Sequence, residues 1–421
     1  MSNQVRILVD ELPMDICEDA IYEINQPNPN TYTHGFFKYP CKFIPEIPKW
    51  AIRKYCSKDG TGKVLDPFAG SGTTLLEASL AGISSIGAEI DEIAKLIIKV
   101  KSTKLNEEEI SILHGWVGNI TEKMESHDYT DEDKILPLIN NLNHWFRDDI
   151  FDDLGYLYKS LMELENENIR DFLLICMASI IKKVSNADDI SPKPYVSNNV
   201  IKNPPAVSVA FADIVNKYVV GLKELSECDL AEIVVDGDAT HIAAEDNSIS
   251  VAITSPPYIN AFDYVRTLRL ENLWLQMATE DELREKKKLY LGTESIKVKV
   301  ECENLQILNE SALLKEYYER IVEVDEKRAL ILKKFFEDMK TNLEEVYRVL
   351  EQDGCYVIVI GNSSIRKVDV ESWRILKDLA INVGFKYSSH FGYEIKNPYI
   401  RIPRGNKGGK IAIDHILVIQ K

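Results

Sequence analysis

The run KVLDPFAGSGTTLLEASLAGISSIGAEI, residues 63–90, constrains the fold more than any other stretch of the chain. KVLD is short and apolar, the pattern of a buried strand. PFAGSG cannot prolong it, because proline lacks an N–H and two glycines invite a tight turn. TTLLEASLA then places its apolar residues on one helix face, and Gly82 stands where a helix stops. ISSIGAEI reads as a second strand. Strand, glycine turn, helix and strand in that order open a doubly wound α/β sheet. With 421 residues, 45% of them hydrophobic, the chain can form one large domain or two ordinary ones.

After residue 102 the periodicity changes. LNHWFRDDIFDDLGYLYKSLMEL sets Leu142, Phe146, Ile150, Leu154 and Leu161 at helical spacing, which predicts one amphipathic helix. DFLLICMASIIKKV and SVAFADIVNKYVVGLKEL predict two more, separated by the Pro- and Asn-rich loop ISPKPYVSNNVIKNPPA, residues 190–206. Residues 103–225 therefore read as a helical insertion, a candidate DNA-recognition or base-pocket element, within a domain made of 1–102 and 226–421. Strands resume in AEIVVDGDAT and ISVAITSPPY. A helical stretch covers 312–350, followed by the strand CYVIVIGNS, the helix ESWRILKDLAINVG and the last strand IAIDHILVIQK.

Composition narrows the function classes. No apolar run reaches membrane-spanning length, and MSNQVRILVDELPMDICED lacks a signal-peptide pattern. The seven cysteines are scattered without a Cys-x-x-Cys pair, which fits a reducing cytoplasm and argues against zinc or a disulfide framework. A net charge of −17 disfavours a protein that coats nucleic acid nonspecifically, but six Lys/Arg and one acid between residues 396 and 421 leave room for a local basic surface.

The glycine turn has three candidate ligands. A phosphate loop needs GxxxxGK[ST], and no lysine follows Gly72. A dinucleotide loop prefers GxGxxG, and its third position here is Leu75. S-adenosylmethionine (AdoMet) carries no phosphate and needs no lysine. Glu89, at the end of the second strand, can accept from both ribose hydroxyls. Asp238, in VDGDAT, can accept from the adenine amino group.

DPFAGSGTT, IGAEID, GDAT and TSPPY together resemble the motifs of amino-group DNA methyltransferases, which modify cytosine N4 or adenine N6. THGFFKYPCKFIPEIPKW, residues 33–50, resembles the segment that covers the methionine end of the cofactor in that family, and VLEQDGCYVIVIGNS its strand after the catalytic loop. The resemblance covers roughly residues 31–102 and 230–421. It implies a Rossmann-like class I AdoMet-dependent methyltransferase fold, α/β with a mixed, mostly parallel sheet, interrupted by the helical insertion. It implies cofactor-binding roles for Tyr39, Lys42, Phe43, Pro45, Asp66, Pro67, Phe68, Ala69, Gly70, Ser71, Gly72, Thr73, Thr74, Glu89, Ile90, Asp238 and Ala239.

The catalytic candidates are Ser255, Pro256, Pro257 and Tyr258. An exocyclic amino nitrogen is a poor nucleophile because its lone pair is delocalised into the ring. Acceptors on both N–H groups, here the Ser255 hydroxyl and the Pro256 carbonyl, localise that pair, and the prolines fix the direction of the carbonyl. Tyr258 offers a stacking face for a base flipped out of double-stranded DNA. Serine in the first motif position leans toward cytosine N4, with adenine N6 the alternative. An RNA methyltransferase and a non-catalytic AdoMet-fold DNA-binding subunit are further readings. Candidate DNA contacts are Arg266, Lys193, Arg401, Arg404, Lys407 and Lys410. A restriction endonuclease of the same site is a candidate partner. The run Lys286–Lys288 fits either a phosphate contact or a solvated helix face. Asn260 and Tyr264 are expected to flank the pocket, and Trp145 and Trp274 to lie in the core.

Overall fold

The structure, a computed structural model, describes residues 5–25, 29–40, 42–56, 62–199, 201–259, 263–396 and 412–421. In chain order, β1 (Arg6–Val9) and β2 (Ile21–Ile24) precede α1 (Glu46–Tyr55). The glycine-turn unit follows as β3 (Val64–Asp66), α2 (Thr73–Leu80), β4 (Ser85–Gly87) and α3 (Glu92–Ser102). Five helices come next: α4 (Glu107–Ser126), α5 (Leu142–Trp145), α6 (Asp148–Met162), α7 (Glu167–Val184) and α8 (Val207–Ser226). β5 (Ile233–Val235), the small hairpin of β6 (Gly237–Asp238) and β7 (His241–Ile242), and β8 (Ile249–Thr254) return to the sheet. After α9 (Tyr264–Thr267), α10 (Arg269–Trp274), α11 (Glu280–Lys286), α12 (Val298–Glu301), α13 (Ala312–Val322) and α14 (Glu326–Val349) comes the long strand β9 (Leu350–Gly361). The hairpin β10 (Ser363–Ile365) and β11 (Val368–Val370), α15 (Ser372–Val383), β12 (Lys386–Glu394) and β13 (Ile413–Gln420) complete the described chain.

Nine strands form one sheet in the order β1-β2-β12-β13-β9-β8-β3-β4-β5. β13 runs antiparallel to both of its neighbours, while the other pairs are parallel. This is the expected mixed, mostly parallel Rossmann-like sheet. Side chains alternate across it, as strand geometry requires. Val251 and Ile253 of β8 join Val357 and Val359 of β9 under α1, while Ala252 joins Tyr356 and Ile358 under α13, α14 and α15. Burial on both faces explains why ISVAIT is buried at every position.

Helices α4 to α8 share an apolar cluster with α3, α10 and residues 36–39. Among the described residues, no helix is long and apolar enough to cross a membrane.

Three expectations change. The single helix through Leu142–Leu161 is two, because Phe146 and Arg147 take extended backbone between α5 and α6. Phe146 is fully buried with its ring edge-on to Trp274 at 5.5 Å, and Arg147 is paired with Asp149. The helical stretch 312–350 breaks where Asp325 caps α14. β1, β2 and β12 extend the sheet where no strand is expected from the sequence. They lie toward its far edge, and KYSSHFGYE shows little apolar alternation until Phe391.

Candidate active site at the carboxyl ends of the parallel strands

From β3 the chain steps outward to β4 and β5, then crosses back to β8 and continues to β9 on the other side. The switch point lies between β3 and β8, and in open α/β sheets ligands bind beyond the carboxyl ends at that point. The glycine loop leaves β3 and the SPPY loop leaves β8. The two are joined at their first residues: Thr254 Oγ1 donates to Asp66 Oδ1 at 2.6 Å.

In the glycine loop, Phe68 N donates to Asp66 Oδ1 at 3.1 Å and Gly72 N to the Ala69 carbonyl at 2.7 Å. Gly70 and Gly72 both have positive φ, 50° and 75°. A Cβ on Gly70 would meet Tyr39 at 3.2 Å, so the Tyr39 ring lies against the loop. Thr73 and Thr74 are buried in the first turn of α2, and Phe68 packs toward the α14 side of the sheet. Beneath the loop, the buried Lys101 ammonium donates to the Ser71 carbonyl at 2.8 Å.

Glu89 closes the loop from β4. Its carboxylate accepts from Gly70 N, Ile90 N and Asp91 N, each at 2.8 Å. Burial nevertheless pushes its pKa up to about 7. Burial likewise raises Asp66 to about 6, against the Thr254 hydroxyl, which lowers it. Asp66 Oδ2 and Ser71 Oγ are buried without a hydrogen-bond partner. Asp238 ends β6, the short strand after β5, where its Oδ1 accepts from Thr240 N at 2.7 Å and from Thr240 Oγ1 at 2.6 Å. Ala239 is buried, and its carbonyl is held by Asn342 Nδ2 of α14 at 2.7 Å.

From the 33–50 segment, Tyr39 is the residue seen against the loop. Its ring stacks on Tyr264 at 6.1 Å, and Tyr264 stacks on Tyr290 at 5.8 Å. Lys42 turns its ammonium onto the His34 carbonyl at 2.6 Å, and burial of that end lowers its pKa to about 8. Phe43 packs against the layer around α1, and Pro45 opens that helix.

In the SPPY loop, Pro256 is buried, while Ser255, Pro257 and Tyr258 are partly exposed. Tyr258 OH donates to Asp414 Oδ1 at 2.7 Å, and Ser363 Oγ reaches the Ile259 carbonyl at 3.4 Å. Sequence reasoning passed over Thr254, Ser363 and Asp414; the signal it had was a hydroxyl inside TSPPY and a carboxylate inside the apolar strand IDHILVIQ.

The other candidates divide. Arg266 is exposed on α9 and Lys193 on the 190–206 loop. Burial works to raise the Asp263 pKa, but Lys287, the Arg266 N–H and Lys193 together hold it low, so Lys193 stands near the segment that follows the SPPY loop. Lys286, Lys287 and Lys288 pair with Asp91, Asp263 and Glu285. Trp274 is fully buried, whereas Trp145 is half-buried with the Arg269 guanidinium 5.4 Å from its ring centroid. Asn260, Arg401, Arg404, Lys407 and Lys410 lie outside the described residues.

The family model N6_N4_Mtase, described as DNA methylase, matches residues 15–100. The curated Type II methyltransferase M.MvaI of Kocuria varians is 24% identical, with 95% of this chain and 92% of that protein aligned. These likenesses support an amino-group DNA methyltransferase family for the chain. Type II methyltransferase M.BsoBI of Geobacillus stearothermophilus is 26% identical over 70% of this chain and 62% of its own. Among solved structures, a SAM-dependent methyltransferase from Methanosarcina mazei aligns over 88% of this chain and 96% of its own, with 9% identity and a TM-score of 0.33.

An amino-group DNA methyltransferase acts on DNA and takes its methyl group from AdoMet. The residues at the switch point fit that cofactor. Two buried carboxylates stand at the glycine loop, Asp66 at its start and Glu89 on the Gly70 N–H, which disfavours a phosphate and favours a ligand that donates hydrogen bonds or carries positive charge. The buried, unpartnered Asp66 Oδ2 is an acceptor waiting for a donor, and an unmet buried acceptor costs about 1–3 kcal/mol.

Proposed function

We propose that this methyltransferase modifies cytosine N4 in double-stranded DNA. Bound AdoMet would supply an electrophilic methyl group on a positively charged sulfur. The glycine loop 66–74, with Tyr39 against it, holds the cofactor; Glu89 accepts from its ribose hydroxyls and Asp238 from its adenine amino group. Ile90 and Ala239 line that site, and Lys42, Phe43 and Pro45 belong to the segment that closes it. The Thr254–Asp66 hydrogen bond carries the reading, because it ties the loop that presents the base to the loop that presents the methyl group.

Ser255 Oγ and the Pro256 carbonyl accept the two N–H groups of the flipped base, and Tyr258 stacks on its ring. The amino nitrogen supplies the electron pair of the new C–N bond, and the proton it loses passes to solvent. A serine hydroxyl is a neutral acceptor, which fits a step needing hydrogen bonding more than a strong base. Lys193 and Arg266, on the SPPY side of the sheet, and Arg401, Arg404, Lys407 and Lys410, in the segment before β13, contact the DNA backbone. The insertion 103–225 contributes to target recognition, and an endonuclease of the same specificity accompanies the enzyme. Mass spectrometry of nucleosides from methylated duplex DNA tests the base assignment. N4-methylcytosine is expected; N6-methyladenine overturns the choice of base and leaves the site intact.

A further inference from the structure

Asp414 is the second residue of β13, and it is 7% exposed. Because β13 runs against β9 and β12, its beginning lies where the parallel strands end, opposite Gly361 of β9 and Tyr393 of β12. That puts a carboxylate inside the sheet at the catalytic end. Burying such a group is unfavourable unless a partner compensates it. Among the described residues, the side chain that hydrogen-bonds Asp414 is Tyr258, at 2.7 Å across 156 positions of sequence. Burial raises the carboxyl and the Tyr258 bond opposes it. A strand position among Ile413, Ile416 and Leu417 would pack more cheaply with an apolar residue. A buried carboxylate bonded to the tyrosine of the SPPY loop points to a role in the site more than in stability.

We propose that Asp414 is a positioning residue for the target base: it holds Tyr258 by the hydroxyl, so that the ring stands in place to receive the flipped base before DNA arrives. The sheet provides the rigidity. Ser363, just past the end of β9, reaches the Ile259 carbonyl from the neighbouring strand, so the loop is held both at the ring and at the backbone. An untethered tyrosine would leave its ring to be ordered on binding, at an entropic cost that slows base capture.

The inference rests on Tyr258 being the stacking platform, and the test separates the two. Single-turnover methyl transfer at saturating AdoMet, base capture by 2-aminopurine fluorescence at the target position, AdoMet affinity and thermal stability are measured for five variants: Tyr258→Ala, Tyr258→Phe, Asp414→Ala, Asp414→Asn and Tyr258→Phe/Asp414→Ala. Tyr258→Phe keeps the ring and loses the tether. Together with Asp414→Ala it should slow transfer and capture by roughly 10- to 100-fold, the range one charge-assisted hydrogen bond spans. The double variant should be no slower than the worse single. Asp414→Asn, which retains a carbonyl acceptor, should recover part of the loss. AdoMet affinity should hold, and Asp414→Ala should melt no lower than the parent, since it removes a buried charge. Multiplying losses in the double variant, or a wild-type rate for Tyr258→Phe, overturns the tether. A loss in Asp414→Ala that tracks a fall in melting temperature or AdoMet affinity also overturns it. Should Asp414→Ala fail to fold, Tyr258→Phe against Tyr258→Ala decides alone. Wild-type transfer by Tyr258→Ala overturns the platform itself.

Discussion

Thr254 Oγ1 and Asp66 Oδ1, 2.6 Å apart, join the last residues of two neighbouring parallel strands. Asp66 ends β3 at the glycine loop, and Thr254 ends β8 at the SPPY loop. The hydroxyl also lowers the pKa of a carboxyl that burial has raised to about 6. Thr254→Val keeps the shape and removes the donor. The variant should lose about 1–3 kcal/mol of stability, the cost of an unmet buried partner. Its AdoMet affinity should fall, because a carboxyl with one bond fewer is protonated more readily. Denaturant unfolding and calorimetry check both; unchanged values in the two measurements would remove the clamp from the account.

The role proposed for Glu89 predicts a pH dependence of cofactor binding with a definite sign. Its folded pKa, about 7, lies above the ordinary value of 4.5. Its proton therefore favours the folded, cofactor-free protein at low pH, and that contribution is lost as pH rises through about 7. A ribose that donates to the carboxylate binds the ionised form. AdoMet affinity should thus rise by up to about tenfold from pH 6 to pH 8, with release of a proton. Titration calorimetry in buffers of different ionisation enthalpy measures that proton. Glu89→Gln should bind more weakly and show a flat profile; a flat profile for the parent would sink the assignment.

Gly72 is constrained twice. Its φ is 75°, and a Cβ there would stand 2.8 Å from Ile98 Cγ1 of α3. The left-handed conformation costs a non-glycine residue about 1–2 kcal/mol before any clash. Gly72→Ala should therefore destabilise the protein by at least that much in thermal or denaturant unfolding. Ile98→Ala in the same chain removes the Cγ atoms the new methyl would meet, so the two losses should be less than additive.

With a net charge of −17, the chain needs a localised basic surface to meet DNA. Reversing Arg401 and Arg404 to Glu should weaken duplex binding and flatten its salt dependence, leaving AdoMet affinity untouched. Lys193→Glu should do the same to a smaller degree. Binding measured across a salt series decides; normal DNA affinity in the Arg401/Arg404 variant shifts the contact surface to the 190–206 loop.

The stretches legible in the sequence are those whose physics is local. A strand, a turn with two glycines in left-handed backbone and an amphipathic helix reveal themselves within about twenty residues, and DPFAGSGTT, IGAEI and TSPPY fall at the carboxyl ends of β3, β4 and β8 as their patterns require. The helix through Leu142–Leu161 was misread because spacing alone cannot show that Phe146 leaves the helix to fill a site beside Trp274. β12 was passed over because KYSSHFGYE carries little apolar alternation; its pairing with β13 and β2 makes it a strand. The ties that arm the site were beyond sequence reading for a stronger reason. Thr254 meets Asp66 across 188 positions and Tyr258 meets Asp414 across 156. Those partners are chosen by strand order and by the reversed direction of β13, which only the closed sheet defines. The sequence by itself determined the loops and the chemistry they can offer. Tertiary structure decided which buried carboxylates stand behind them, because a hydrogen bond between distant residues exists only once the register of the strands that carry them is set.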